Sequence, residues 1–276
     1  RVLSLASQRW ADLPPMAAER NSAALARGSE GDLLVFGGRT ERALATVERL
    51  SPGATEWIRA PSMATPRCCP AAAAIGEGRF LVTGGGESMY RHSKVYRTVE
   101  IYSLTGGSFP DFPQLQVARC AHSLAVAANG TVYATGGYGG GLSYLSSIEA
   151  LDLSAPELGW SRVASMPEAR AGSSGCLGPD HCLYIVGGGD NGTTNFSSCV
   201  KWDPRSGKWH QLASMHNPRH YFAGSFAPDG KLYVAGGFEW TAQLSSAEVY
   251  DPVADKWRLL PDFGVCLEFC AGAFVW

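Results

Sequence analysis

The stretch that decides the fold runs from Arg219 to Trp257 and reads RHYFAGSFAPDGKLYVAGGFEWTAQLSSAEVYDPVADKW. It contains two short apolar runs separated by Pro228-Asp229-Gly230, a Gly-Gly pair that closes the second run, and an alternating segment before the tryptophan. Short apolar runs bounded by glycine and turn residues predict buried strands, and a Pro-Asp-Gly turn predicts a hairpin. This one stretch therefore predicts four short antiparallel strands.

The same pattern recurs along the chain. In five places an arginine follows an aromatic residue by ten positions and precedes a Gly-Gly pair by 17. The series are Trp10, Arg20, Gly37 and Gly38; Trp57, Arg67, Gly84 and Gly85; Phe109, Arg119, Gly136 and Gly137; Trp160, Arg170, Gly187 and Gly188; Trp209, Arg219, Gly236 and Gly237; and Trp257 begins a sixth series. A repeat near 50 residues, built of four short strands, predicts a single β-propeller domain over residues 1–276. The distance from each Gly-Gly pair to the next aromatic varies from 20 to 25 residues, so the loop after the pair is the variable part.

The two ends of the chain together predict a sixth blade. Arg1 to Leu5 aligns with the strand around Glu48, and Ala271 to Phe274 aligns with the first strand of the fifth repeat. We therefore predict an all-β, six-bladed propeller whose sixth blade is split between residues of about 1–15 and 265–276, which removes exposed sheet edges. The second strand of this blade has no counterpart, so we expect the chain to be a piece of a longer protein that lacks residues before Arg1.

These residues resemble the Kelch-repeat family. Its blade pattern is an arginine, a Gly-Gly doublet after the second strand, a Glu-x-Tyr-Asp-Pro third strand and a tryptophan in the fourth strand. Here that pattern is best seen from Arg219 to Trp257, with Glu248 to Pro252 as the third strand. The resemblance covers essentially all 276 residues. It departs from the family pattern at Phe109, Val200, Trp202 and Leu267. It implies a six-bladed Kelch β-propeller in which the repeated arginines, glycines and tryptophans are structural.

Composition excludes several classes of function. The net charge is −2 with a pI of about 6.3, and the charges of both signs are interspersed, which argues against a nucleic-acid partner. No apolar run approaches the ~18 residues of a membrane span, so we predict no membrane partner and a cytoplasmic protein. Eight cysteines lack any C-x-x-C spacing, which predicts free thiols rather than a zinc site. A Cys176 to Cys182 disulfide is the alternative.

Catalytic motifs are also missing. The chain has no G-x-S-x-G, P-loop or H-E-x-x-H motif. Gly187, Gly189 and Gly192 spell G-x-G-x-x-G, but a dinucleotide site needs a helix after this motif, and the sequence predicts loop and strand. We predict that the chain is not an enzyme and has no catalytic residues, metal or cofactor. A small-molecule enzyme that uses the central channel is the alternative from another class.

The loops after the doublets are the predicted binding surface. The longest of them, Gly86 to Val99, carries a mixed aromatic and cationic set, which is typical of recognition surfaces. The family resemblance implies that residues just after the doublet and just after the blade arginine line a peptide pocket. The predicted partner-binding residues are Arg39, Tyr90, Arg91, His92, Tyr138, Asp190, His220, Tyr221, Phe238, Glu239 and Trp240. The same positions include Asn21, Ser22, Cys68, Ala121 and Ala171.

These observations predict a protein-interaction module that captures a partner peptide or degron, with Arg39 and Arg91 available to an acidic segment. The resemblance implies work as a substrate receptor of a cullin-type ubiquitin ligase, through a BTB or F-box region outside this chain. Actin binding or another scaffold role is the alternative within the same class.

Overall fold

The strands of the chain fall into repeated sets of four. The computed structural model describes residues 2–264 except 6, 8, 89–92, 142, 191–193, 240 and 241. The N-terminal hairpin contains β1 (Val2–Ser4) and β2 (Arg9–Ala11). Blade one contains β3 (Ala24–Arg27), β4 (Leu33–Phe36), β5 (Val47–Leu50) and β6 (Ile58–Ala60). Blade two contains β7 (Ala71–Gly76), β8 (Arg79–Thr83), β9 (Val99–Ser103) and β10 (Gly107–Phe112).

The remaining three blades repeat this order. Blade three contains β11 (Ser123–Val126), β12 (Thr131–Thr135), β13 (Ser147–Asp152) and β14 (Ser161–Ser165). Blade four contains β15 (Ser174–Leu177), β16 (Leu183–Val186), β17 (Cys199–Asp203) and β18 (Lys208–Leu212). Blade five contains β19 (Ala223–Phe226), β20 (Leu232–Ala235), a loop hairpin of β21 (Phe238–Glu239) and β22 (Ala242–Gln243), then β23 (Ala247–Asp251) and β24 (Lys256–Leu260). Within the described residues the helical content is one 3-10 turn, Pro156–Leu158.

The five sheets are antiparallel and surround a channel. The first strands β3, β7, β11, β15 and β19 contact one another in chain order and line a cavity of about 180 Å³. Small residues allow this close approach, because a Cβ added to Gly224 would lie 2.5 Å from the Ser174 hydroxyl. The predicted hairpin at Pro228 to Gly230 is confirmed by the pairing of β19 with β20, and Asn129-Gly130 and Pro179-Asp180 lie in the equivalent hairpins of blades three and four. The all-β propeller fold is therefore confirmed.

The number of complete blades differs from the prediction. The described residues form five four-stranded blades rather than six, and the unit at the N-terminus is a hairpin of two strands. In this hairpin Leu3 faces Trp10, in the same way that Tyr250 faces Trp257 in blade five. The C-terminal segment that was predicted to add a strand, 265–276, lies outside the described residues.

A buried arginine holds each blade together. In blade two the side chain of Arg67 is fully buried, and its guanidinium donates to the carbonyl oxygens of Gly84 at 2.5 Å and Thr98 at 3.1 Å. It also pairs with the Glu100 carboxylate at 2.6 Å. Three other blades repeat this arrangement, in the pairs Arg20 with Glu48, Arg119 with Glu149, and Arg219 with Glu248. We call the buried arginine, its carboxylate and these hydrogen bonds the brace of the blade. A buried charge is tolerated when it is paired and hydrogen-bonded, so the brace fixes three strands of its blade at once.

The glutamate of the brace also binds the loop that enters its blade. The Glu100 carboxylate accepts the backbone N–H groups of Ala64 at 2.9 Å and Thr65 at 3.2 Å. Equivalent pairs of N–H groups bind the glutamates of blades one, three and five, from Ala17 and Ala18, Gln116 and Val117, and His216 and Asn217. Burial acts to raise the pKa of Glu100, but Arg67 and these hydrogen bonds hold it below its usual value.

The Gly-Gly doublets link each blade to the next. The second glycine donates its N–H to the carbonyl oxygen of the next blade arginine, at distances of 2.7 to 2.9 Å from Gly38, Gly85, Gly137 and Gly188. The first glycine allows no side chain. Gly84 has φ +59°, and an added Cβ would lie 2.1 Å from the Arg119 carbonyl oxygen. The blade arginines thus receive a bond from the preceding blade, which carries the brace around the propeller.

Blade four achieves the brace in a different way, because Val200 occupies the glutamate position. Its arginine, Arg170, pairs instead with Glu168 in the entering loop at 2.6 Å and donates to the Ser198 hydroxyl at 2.7 Å. The loop position that donates an N–H to the glutamate in other blades is Pro167, which has no N–H. The missing carboxylate and the missing donor therefore compensate for each other.

The tryptophans close each blade against the loop that enters it. The indole N–H groups of Trp57, Trp160 and Trp257 donate to the backbone oxygens of Pro14, Pro113 and Ala213, each at 2.9 Å. Trp209 is half-buried and lies beside the buried Trp202, with ring centroids 6.3 Å apart. Among Trp57, Trp160, Trp209 and Trp257, which occupy the repeated tryptophan position of complete blades, Trp160 and Trp257 are the deeply buried ones, with exposed fractions of 3% and 9%.

Phe109 does not take the tryptophan place that its spacing suggested. Ser108 faces Tyr102 in this register, and a β-bulge between Phe109 and Phe112 shifts the strand by one residue. A shift of one residue turns a side chain to the opposite face of the sheet, and Phe109 is 56% exposed. The Tyr102 hydroxyl donates to the Pro61 oxygen at 2.8 Å and so replaces the missing indole bond.

Removing the glutamate of a brace should weaken the fold strongly. We expect Glu100→Gln to lower the free energy of unfolding by about 3 kcal/mol, because it leaves the buried Arg67 charge without its carboxylate. The matched change Glu168→Gln should cost about 1 kcal/mol or less, because the Glu168 side chain is 52% exposed. Urea unfolding curves of both variants measure the difference, and equal losses would contradict the assignment.

Truncation of the blade tryptophans should have unequal effects. Trp257→Ala should cost about 3 to 5 kcal/mol, the range for removing a buried large aromatic side chain. Trp209→Ala should cost less, because Trp209 is half-buried and Trp202 fills the neighbouring core. Thermal unfolding of the two variants checks the order, and a lower Tm for Trp209→Ala would reverse it.

Candidate functional site

The loops after the arginines and the loops after the doublets lie on the same face of the propeller. Each first strand begins at this face, and each second strand ends there. Bridges pair the residue after each arginine with the residue after each doublet, in the pairs Asn21 with Arg39, Cys68 with Gly86, Cys120 with Tyr138, Ala171 with Gly189, and His220 with Phe238. We call this surface the loop face. It brings together the two sets of positions that the sequence assigned to binding.

A belt of backbone hydrogen bonds surrounds the channel mouth at this face. The belt consists of Ser22, Cys69, Ala121, Gly172 and Tyr221, the second residue after each blade arginine. The N–H groups of four members, Cys69, Ala121, Gly172 and Tyr221, donate to the carbonyl oxygen of the belt residue in the preceding blade, at 2.8 to 3.0 Å. All five have left-handed backbone conformations, with φ between +50° and +62°. Since four of them are not glycine, the hydrogen bonds of the belt hold an uncommon conformation in place.

Tyr221 covers the channel mouth. A Cβ added to Gly172 would lie 3.2 Å from Cγ of the Tyr221 ring, so the ring rests on blade four. Burial raises the pKa of the Tyr221 hydroxyl, and the neighbouring thiols of Cys69 and Cys120, from blades two and three, add to this effect. The side chain therefore reaches from blade five toward the opposite side of the mouth.

Tyr221 is surrounded by thiols and aromatic rings that we together call the floor. Its members are Cys68, Cys69, Cys120, Tyr138, Tyr144, His220, Tyr221 and Phe238. Cys68, Cys69 and Cys120 are buried and pack with Val95 and Tyr138. The Sγ atoms of Cys68 and Cys69 are 3.8 Å apart, and both thiols are free. Burial raises the pKa of Cys120 to about 12. A hydrogen bond with Cys69 lowers the pKa of Cys68, with a further contribution from Arg39.

Aromatic side chains make up the other side of the floor. The rings of Tyr138 and Tyr144 have centroids 5.4 Å apart, and His220 lies 4.9 Å from Tyr221 and 5.4 Å from Phe238. These are distances at which aromatic rings attract each other edge to face or tilted. The floor is therefore made of neutral groups, with buried thiols on one side and half-buried aromatic rings on the other.

Polar side chains border this floor. Arg39 is half-buried, and its Nε donates to the Thr40 oxygen at 3.1 Å. Asp190 accepts the Thr194 N–H at 2.8 Å, and Glu239 lies in β21. Both carboxylates are half-buried. Tyr90, Arg91, His92 and Trp240, which the sequence assigned to partner binding, lie outside the described residues.

The blade arginines do not reach this surface. The side chains of Arg67, Arg119, Arg170 and Arg219 are 0 to 1% exposed. Phe196 covers Arg170 with 4.5 Å between the guanidinium carbon and the ring centroid. Such a contact is a cation–π interaction that shields the charge from the loop face.

Three residues of the floor were not assigned to it from the sequence. Tyr144 pairs with Tyr138 across the loop of blade three, and Cys69 and Cys120 join Cys68. Cys120 carries the signal that identified Cys68, since both directly follow a blade arginine. The alternative disulfide has no support in the register, because Cys176 faces Tyr184 and both Cys176 and Cys182 are free.

Across the described parts of the chain, no three His, Cys, Asp or Glu side chains gather in a way that could hold a metal ion. The same parts contain no helix that is long and apolar enough to cross a membrane.

The repeat matches a known sequence family. The Kelch motif matches residues 22–64, 119–167, 170–216 and 219–264, which is more than half of the chain. The chain belongs to the Kelch-repeat family. The four matches correspond to blades one, three, four and five, and blade two, with its bulge and with Ser108 at the tryptophan place, lies between them.

Several Kelch proteins are similar to this chain over part of their length. Kelch repeat and BTB domain-containing protein 13 of Homo sapiens is 35% identical over 126 residues, 42% of this chain and 27% of that protein. An F-box/kelch-repeat protein of Arabidopsis thaliana is 36% identical over 114 residues, 35% of this chain and 30% of that protein. Kelch-like protein 34 of Homo sapiens is 29% identical over 159 residues, 56% of this chain and 24% of that protein. The matched regions thus span less than a third of these Kelch relatives.

A solved structure shows the same fold. The structure of YjhT superimposes with a TM-score of 0.78 and covers 94% of this chain and 89% of its own. The two sequences are 16% identical, so the likeness concerns the Kelch propeller fold alone.

Two buried histidines should make the Kelch propeller less stable in mild acid. Burial lowers the pKa of His220 to about 4 and that of His122 well below its usual value. The folded state therefore resists a proton that the unfolded state accepts below about pH 6.5, so stability is complete above this pH and falls as the pH decreases toward the folded pKa. Each histidine adds a slope of at most about 1.4 kcal/mol per pH unit.

Urea unfolding at pH 7 and pH 5 measures this slope. His122→Phe places in blade three the residue that Phe222 supplies in blade five, and it should flatten the slope. Thr83 donates to or accepts from His122 Nε2 at 2.7 Å, so Thr83→Val is combined with it. An unchanged loss between pH 7 and pH 5 in this double variant would contradict the assignment to His122.

Proposed function

We propose that this Kelch propeller is a protein-interaction module that binds a short peptide segment of a partner on the loop face. The observation that carries the proposal is the closed floor, in which the belt fixes the backbone and Tyr221, the thiols and the aromatic rings form one surface. Rigid, half-buried aromatic residues concentrate binding energy because little side-chain entropy is lost when they are covered.

The proposed binding residues border and form this floor. Those in the described residues are Arg39, Tyr138, Asp190, His220, Tyr221, Phe238 and Glu239. Tyr90, Arg91, His92 and Trp240 complete the set on the sequence pattern alone. Arg39 and Arg91 would pair with acidic residues of the partner, because a guanidinium binds a carboxylate through two parallel hydrogen bonds.

The relatives suggest a setting for this binding. The names of two of them contain a BTB domain and an F-box. We propose that the chain works in the cytoplasm as a substrate receptor of a cullin-type ubiquitin ligase, through a domain outside this chain, and that it needs neither a nucleic acid nor a membrane. An actin-binding or other scaffold role is the second candidate, supported by the same surface.

An enzymatic role through the central channel has less support. Tyr221 lies over the channel mouth, and the small residues of the first strands leave a cavity of about 180 Å³, below the usual volume of a ligand site. The non-enzymatic role is therefore the one we propose.

We also propose that the propeller closes as six blades, with the N-terminal hairpin in the sixth. The Trp10 indole donates to the Pro261 oxygen at 3.1 Å, which repeats the bond of the other tryptophans to the loop entering their blade. The Trp10 ring also packs against Phe263 at 5.0 Å. Both contacts support the hairpin as the blade that follows blade five.

Substitutions on the loop face should remove partner binding without unfolding the protein. Immobilised wild type, Arg39→Glu, Arg91→Glu and Tyr138→Ala are compared by quantitative mass spectrometry of the proteins each retains from lysate. Specific partners should fall at least about tenfold with each variant, while the Tm stays unchanged, because hot-spot truncations cost about 2 kcal/mol or more.

Arg79→Glu is the matched control, since Arg79 is an exposed arginine in the hairpin at the opposite end of β8. Partners that survive all three loop-face variants and are lost with Arg79→Glu would place the binding surface on the other face and overturn the proposal.

A further inference from the structure

Lysine and arginine are excluded from one half of the loop face. In blades three to five the described segments at this face are 113–122, 136–141, 143–147, 166–173, 187–190, 194–198, 213–222, 236–239 and 242–246. Their basic side chains of these two types are the blade arginines Arg119, Arg170 and Arg219. The other lysines and arginines between 113 and 264 lie on strands or at the opposite turns, and they are Arg162, Lys201, Arg205, Lys208, Lys231, Lys256 and Arg258.

The three arginines that remain contribute little positive charge to this half. They are 0 to 1% exposed, and Glu149, Glu168 and Glu248 neutralise them. What a partner meets there is therefore determined by side chains other than the brace.

Those side chains are aromatic and acidic. Asp190 and Glu239 are half-buried carboxylates in the loops of neighbouring blades four and five. The Asn195 amide donates to the Phe238 oxygen at 3.2 Å, which fixes these two loops against each other. Tyr138 and Tyr144 lie in the corresponding loop of blade three, with their ring centroids 5.4 Å apart. We call Tyr138, Tyr144, Asp190, Phe238 and Glu239 the acidic aromatic patch.

The other half of the loop face has a different character. The loops after the doublets of blades one and two carry Arg39, Arg42 and Lys94 together with Glu41 and Glu87. Arg39 lies close to the floor, since its charge acts on the Cys68 thiol. The two halves of the face therefore present opposite charges next to the floor.

We propose that the acidic aromatic patch receives a lysine or arginine side chain of the partner segment. This inference rests on the proposed peptide binding. A cation gains from aromatic faces and from carboxylates together, and the gain is larger where a surface is partly desolvated. Near Asp190 and Glu239 the described loop residues include no lysine or arginine besides the neutralised blade arginines, which leaves the local potential negative and favours a basic residue over an acidic one at this position. Acidic residues of the same segment then bind toward Arg39.

Selection from a random peptide library provides the test. Twelve-residue peptides displayed on phage are selected on the wild-type protein, and the enriched sequences are synthesised with a fluorescent label. We expect them to contain a lysine or arginine whose replacement by alanine weakens binding to wild type about tenfold. The variant that combines Asp190→Asn with Glu239→Gln should bind the parent peptide more weakly by a similar factor. It should bind the alanine peptide with nearly the same affinity as the wild-type protein does. Such a thermodynamic cycle assigns the basic residue to the patch.

Glu157→Gln is the control variant, because Glu157 is an exposed acid in the 3-10 turn of the opposite face. Two outcomes would overturn the inference and leave the proposed function standing. In the first, enriched peptides lose affinity with Tyr138→Ala but contain no basic residue. In the second, they bind the Asp190→Asn, Glu239→Gln variant as tightly as wild type. If no enriched peptide depends on Tyr138, Arg39 or Asp190 for binding, both the proposed function and the inference are overturned.

Discussion

The buried arginine of each blade is the interaction on which the rest of the structure depends. Its guanidinium needs acceptors from the doublet, from the third strand and from a carboxylate, and these groups come from parts of the blade that are far apart in sequence. Since an unpaired buried charge is costly, the blade forms with all of them in place. The carbonyl oxygen of the same residue then accepts the N–H of the preceding doublet, so each brace also positions its neighbour.

Features set by repeated local chemistry were predictable from the sequence. The doublets, the hairpin turns and the apolar second strands each have one physical explanation, and their spacing located all five complete blades. Counting failed at Phe109, because a β-bulge adds a residue that spacing cannot distinguish from a loop residue. The sixth blade was only partly accessible, since its hairpin at Trp10 is described and its predicted C-terminal strand is not.

The candidate site was harder to predict than the scaffold. The residue after each arginine is bridged to the residue after each doublet, as His220 is to Phe238, because backbone pairing follows the repeat. Side-chain direction does not follow the repeat. The position of Tyr221 over the channel mouth depends on Gly172 of the preceding blade, which leaves room for its ring, and no local sequence pattern around Tyr221 predicts this. The compensation of Val200 by Glu168 is likewise a relation between distant residues.

The belt around the channel mouth has a consequence for how such surfaces diversify. It uses only main-chain atoms, and its members are a serine, a cysteine, an alanine, a glycine and a tyrosine. The backbone geometry is therefore indifferent to which side chain projects from it, provided the left-handed conformation is accepted. Evolution and protein engineering can therefore exchange these five side chains and obtain a new binding specificity while the backbone of the belt stays the same.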